Sequence, residues 1–285
     1  MKIPTTKLEQ YRRQTFRLDR SRQLQTADDA LRFVSERGFL YLWPIKGVDL
    51  PSLWTAVAGD RPVSDKHDDP GHITWGWKDA MLDKRAWHYA KILRGKATLI
   101  SLEILPYFYA LSENFGDPEQ DYQELFDQGL LSREAKIIYE TLLREGPLDT
   151  VNLRRKIQMT AKASNSPFER GLTQLQRDFK IMPTGVAATG AWRYSFVYDA
   201  VHRVYPRLPE QARSITRKAA RAKLVALYLH SVGVAGEADV RKLFQWTPTD
   251  TQRTLAALVG SGEVGENGVV DGRDAPQYFA PAVVL

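Results

Sequence analysis

The 285-residue sequence contains no cysteine, which excludes disulfides, thiolate metal ligands and a cysteine nucleophile, and fits a reducing compartment. It also lacks any apolar run near the roughly 18 residues of a membrane span. Its first twenty residues, MKIPTTKLEQYRRQTFRLDR, lack the apolar core of a secretory signal, so a cytoplasmic location is expected. Acidic residues are scarce in two segments. Residues 1–25 carry Lys2, Lys7, Arg12, Arg13, Arg17, Arg20 and Arg22 against Glu9 and Asp19 alone. Residues 203–223 carry Arg203, Arg207, Arg213, Arg217, Lys218, Arg221 and Lys223 against Glu210 alone. With a net charge of +6, this distribution points to a polyanionic partner, because clustered cations gain free energy by releasing counterions condensed on nucleic acid. Either run taken alone also reads as a solvated helix face.

An internal repeat organises the C-terminal half. AKII at 135–138 precedes AKLV at 222–225 by 87 residues, and at the same offset Gly146 matches Gly233, Arg154 matches Arg241 and Gln158 matches Gln245. After an insertion in the first copy the offset becomes 83, where ERGLTQL (169–175) matches QRTLAAL (252–258). Each copy reads as an amphipathic helix ending at glycine, two shorter helices, and two strands around a Gly-containing turn. In both, Ser or Thr followed by Pro marks the start of the last helix. Three helices and a hairpin make a winged helix-turn-helix. The expected fold is α+β and mainly α: tandem winged units behind a mixed helical, aromatic-rich N-terminal domain. The expected boundaries are a basic arm at 1–25, the mixed domain at 26–130, winged units at 131–202 and 217–285, and a basic connector at 203–216.

In such units the third helix and wing usually meet double-stranded DNA. The buried stripe Leu172, Leu175 and Phe179 leaves Glu169, Arg170, Gln174 and Arg177 facing outward, and the first wing offers Trp192 and Arg193. Ordinary hairpin packing accounts for Trp192 as well. The connector and following helix add Arg213, Arg217, Lys218 and Arg221. The second unit adds Arg253, while its wing, with Asp271, Arg273 and Asp274, is not basic. A winged unit can also serve purely to bind protein.

The N-terminal third carries ERGFLYLWP, in which a helix ends at Gly38 before an apolar run, and the Trp-Gly pair of TWGWKDAML. With the paired winged units and VDGRDAPQYFAP at 270–281, this plan resembles the winged-helix DNA glycosylases of the AlkZ/YcaQ type, which excise alkylated bases and unhook interstrand crosslinks. The family's catalytic triplet, Gln-apolar-Gln or Gln-apolar-Asp, positions the attacking water. The matching positions here are Tyr41, Leu42 and Trp43, which bring neither carboxylate nor amide. Where the crosslink-unhooking branch has a histidine, this sequence has Trp77. The resemblance therefore implies a DNA-binding relative whose glycosylase activity is lost or altered. Alternatives are an active glycosylase with a rearranged site, for which Asp68 or Asp69 in KHDDPGH are the candidates, or a transcriptional regulator. Neither metal nor cofactor is expected, since His67 and His72 lack a specific ligand spacing. A monomer suffices.

Overall fold

The computed structural model describes all residues except 113, 191, 271–276 and 285, so the tip of the second wing, with Asp271, Arg273 and Asp274, lies outside the described residues. The two repeat copies fold alike. In the middle unit, helix Arg133–Glu145 starts where the Ser132 hydroxyl accepts from the Ala135 amide, and it stops at Gly146 with φ of 82°. Strand Leu148–Asp149, helices Thr150–Lys156 and Asn165–Arg177, and strands Ile181–Ala187 and Ser195–Ala200 follow. The C-terminal unit repeats the order with Arg217–Val232, Val234–Ala235, Glu237–Phe244, Pro248–Gly260, Gly265–Val270 and Gln277–Phe279. Its first helix stops at Gly233 with φ of 80°. The repeat extends to an unusual backbone detail: Gln158 and Gln245, paired by the 87-residue offset, are both left-handed, with φ of 57° and 58°.

One expected helix start is displaced. Thr247 caps Pro248–Gly260 as the sequence suggests, accepting from the Asp250 amide. In the middle unit the helix begins at Asn165, ahead of Ser166 and Pro167, because a 3-10 turn at Lys162–Ser164 leads directly into it.

The N-terminal third proves more regular than its sequence suggests. Helix Ala27–Arg37, opened by reciprocal Thr26 and Asp29 capping bonds, ends at Gly38 with φ of 79°. Strand Phe39–Tyr41, helices Leu53–Ala58 and Ile73–Asp83, and a hairpin of His88–Lys91 with Ala97–Ile100 follow. This is the same element order a third time. In all three units the short first strand pairs with the last strand, which pairs with the middle one. Each unit's first helix is also terminated by a left-handed glycine, a conformation in which a side chain would be strained. The N-terminal unit has a core of its own, in which Phe33, Val34, Leu40, Leu53, Trp77, Met81, Trp87 and Leu99 are buried together.

The segment 1–25, read from sequence as a basic arm, is built into the fold, its first half on the C-terminal unit and its end on the N-terminal one, where Leu24 joins the core. Strand Lys2–Ile3 pairs in parallel with Val269 and Val270, and Ile3 and Leu8 are buried with Val234, Val270 and Val283. Four cations of this segment hold the fold together. Arg12 donates to the Val232 carbonyl at 2.9 Å and pairs with Asp49 at 2.9 Å, Lys7 donates to the Val284 carbonyl, and Arg13 and Arg17 pair with Asp19 and Glu36. No helix among the described residues is long and apolar enough to cross a membrane.

Candidate nucleic-acid interface

The N-terminal and middle units pack reciprocally, the third helix of each lying against the hairpin of the other. From the N-terminal unit, Trp75 and Lys78 on helix Ile73–Asp83 meet the middle wing at Tyr194. The Trp75 indole donates to the Tyr194 oxygen at 3.2 Å, Lys78 Nζ donates to the same oxygen at 2.8 Å and to Asp79 at 2.6 Å, and the Tyr194 hydroxyl donates to Asp79 at 2.9 Å. The Lys78 side chain is buried beneath four rings, with Phe196 nearest at 4.4 Å. Burial lowers its pKa, and Asp79 works against that shift. At the base of the wing, Asp149 accepts from Thr189 and Ser195. Both arms of the wing tip are thus fixed by polar side chains.

Beyond this anchor the surface is aromatic and cationic. Trp75 is 45% exposed and Trp192, at the wing tip, is 90% exposed. Arg193 beside it is exposed, with φ of 49°. Trp43 lies at the inner edge of this surface, its ring 5.9 Å from Trp75, 5.6 Å from His72 and 6.4 Å from Trp54. Trp192 therefore does not pack on the core.

The outward residues on helix Asn165–Arg177 divide. Arg170 is exposed and leans on the Ser166 hydroxyl. Gln174 is committed to the fold, accepting from the Ser132 amide and hydroxyl and donating to the Leu130 carbonyl. Arg177 pairs with Asp178 beside a cavity, and Glu169 pairs with Lys91 of the neighbouring hairpin. Of the four, Arg170 alone is exposed and held by no carboxylate among the described residues. A helical wheel finds the outward stripe, but not the partners, Lys91 from the neighbouring unit and Ser132 and Leu130 from the same one, that engage Glu169 and Gln174.

Among the remaining cations, Arg213, Arg217 and Lys218 are exposed at the start of the C-terminal unit, and Arg253 is exposed on its third helix. Arg221 differs, forming a two-pronged pair with Asp250 near Trp246. Arg203 donates to the Leu142 and Leu143 carbonyls at the end of helix Arg133–Glu145, where a cation offsets the helix dipole.

At the triplet positions, Tyr41 is fully buried and its hydroxyl donates to the Leu93 carbonyl at 3.4 Å. Burial pushes its pKa up to about 12, with Arg94 opposing. Trp77 is buried in the N-terminal core. Asp68 is exposed, whereas Asp69 caps the turn at Pro70–His72 and is gripped by Arg61 at 2.6 and 2.9 Å. That grip holds the Asp69 carboxyl near a pKa of about 2, which makes it a weak base. Among the described residues no three His, Cys, Asp or Glu side chains gather as a metal site.

The family model described as AlkZ related matches residues 24–245. No curated protein matches the sequence. Among solved structures, the DNA glycosylase AlkZ of Streptomyces sahachiroi superposes with a TM-score of 0.61 at 13% identity, over 100% of this chain and 71% of that chain. At that identity the likeness is one of fold. With the family match spanning all of the N-terminal and middle units, the chain belongs to the AlkZ-related family.

Proposed function

We propose that the protein binds double-stranded DNA through the wing of the middle unit, the first turns of its third helix and the adjoining surface of the N-terminal unit. The observation that carries this reading is Trp192, a tryptophan 90% exposed next to Arg193 and at the edge of the Trp75 and Tyr194 pair. A large ring in water beside a cation is suited to a groove or to an unstacked base. Arg170, Arg193, Arg213, Arg217 and Lys218 supply phosphate contacts, and Arg253 is peripheral. The family membership and the fold it shares with a DNA glycosylase support DNA as the ligand.

Base excision by the family's triplet is not part of this reading. Tyr41 has no access to solvent, its hydroxyl is committed to a carbonyl, and at a pKa of about 12 it cannot accept a proton at neutral pH. Trp43 offers only a donor. Fluorescence anisotropy with a labelled duplex across a salt series tests binding. The expected result is a log–log salt slope of several units that falls by nearly one for each phosphate-contacting arginine removed. A slope unchanged when Arg170, Arg193, Arg213 and Arg217 are replaced together would reject the surface. Alkaline cleavage after incubation with alkylated and crosslinked duplexes tests the chemistry, and strand breaks would overturn the non-catalytic reading.

A further inference from the structure

A cavity of about 470 Å³ lies where all three units meet, within the roughly 300–1,000 Å³ range of small-molecule sites. The N-terminal hairpin contributes Arg94, the end of the middle unit's third helix contributes Arg177 and Phe179, and the C-terminal unit contributes Gln245 and Trp246, with Phe108 completing the wall. Its lining carries three cations, Arg94, Arg177 and Lys180, against the single carboxylate of Asp178 among the described residues. Two of these cations are already engaged: Arg177 pairs with Asp178, and Lys180 donates to Asn114 at 2.9 Å. Arg94 is half-buried and makes no hydrogen bond or ion pair with any described residue. A guanidinium that lines a cavity and has no acceptor from the protein is open to an anion supplied from outside. Aromatic side chains stand around it. Phe179 lies 6.4 Å from Phe108, and Trp246 is stacked 4.5 Å from Phe244.

We propose that this cavity binds a planar aromatic anion of mononucleotide size, the anionic group on Arg94 and the ring against Phe108, Phe179 or Trp246. Such a ligand touches all three units and fixes their relative placement. The same chemistry is offered by a free nucleotide and by a nucleotide turned out of a duplex. The site stands independently of the duplex-binding surface, which Arg94 does not join.

Adenosine 5′-monophosphate and neutral adenosine, titrated into the full chain by calorimetry, test it first. The monophosphate is expected to bind at least about tenfold more tightly than the nucleoside, as a charge-assisted bond to guanidinium implies. Arg94→Asn, a residue that tolerates the φ of 55° at this position, removes that advantage, and Arg94→Lys retains part of it. A duplex with a single bulged nucleotide, compared with its paired counterpart, tests the second source. A preference for the bulged duplex that disappears in Arg94→Asn, without free-nucleotide binding, assigns the occupant to DNA. If neither the monophosphate nor the bulge gives a preference that depends on Arg94, the proposal is wrong. Affinity for the paired duplex, measured in the same series, shows separately whether the DNA-binding surface has failed.

Discussion

The middle unit meets its neighbour through buried polar groups, Lys78 with Asp79 and Tyr194, and the His88 ring stacked on Phe179. The C-terminal unit is tied to the N-terminal one by a partly exposed arginine, Arg12, which joins Val232 to Asp49, while Arg221 braces the unit internally on Asp250. Both units have the same element order and the same left-handed residues at glycine and glutamine. Among the described residues no carboxylate pairs with the middle unit's surface cations Arg170 and Arg193. In the C-terminal unit several cations serve cohesion instead. One scaffold thus leaves cations free of carboxylates in one copy, where we propose the binding face, and pairs them in the other.

The largest expected effect concerns His88, buried with neither ring nitrogen hydrogen-bonded, whose pKa burial lowers from 6.5 to about 3. The folded state therefore takes up this proton later than the unfolded chain. Its stability is complete above about pH 6.5 and falls as the pH drops toward 3, by up to about 1.4 kcal/mol per pH unit from this one group. Urea midpoints between pH 7 and 4 should show that slope, and His88→Phe should flatten it. An unchanged slope would remove buried polar attachment from the contrast between the units. Next, Lys78→Met keeps the side chain's length beneath the rings but leaves Asp79 with the Tyr194 hydroxyl alone, and a loss of about 1–3 kcal/mol is expected, with faster hydrogen exchange at 192–195.

A smaller effect is expected at the wing. Trp192→Ala should weaken duplex binding by about 1–2 kcal/mol while leaving the thermal midpoint unchanged, because the ring has little to unpack. A comparable fall in stability would mean that Trp192 packs in solution. Smallest of all, Arg253→Ala should change affinity by less than about twofold. An effect equal to that of Arg193→Ala would erase the asymmetry between the copies.

The repeat was legible because it rests on backbone requirements that leave residues behind: Gly146 with Gly233 and Gln158 with Gln245 occupy left-handed positions. Gly38 occupies the same kind of position in the N-terminal unit, yet that unit was not recognisable as a winged fold. Its second helix, Leu53–Ala58, is six residues long, too short to show a period, and loop residues separate it from Ile73. Trp192, Arg170 and Arg193 could be nominated from pattern and chemistry, whereas Trp75 could not be told from a core residue. The burial of Tyr41, the engagement of Gln174 and Arg221, and the seating of residues 1–25 could not. Each depends on a partner distant in sequence, such as Leu93, Leu130, Asp250 or Val269, that no local window contains.

The short strand Lys2–Ile3 also bears on how the molecule assembles. It completes the edge of the C-terminal sheet, and the Met1 amino group donates to the Asn267 carbonyl across 266 positions of sequence. Closing so long a loop costs little more than closing one half its size, since the entropy grows only logarithmically. Contacts this distant do, however, form late. Until Lys2–Ile3 docks, strand Gly265–Val270 is an open edge carrying the exposed Val269, a ready template for another chain. Deleting the first few residues should therefore be felt at the opposite end of the chain, as self-association during refolding.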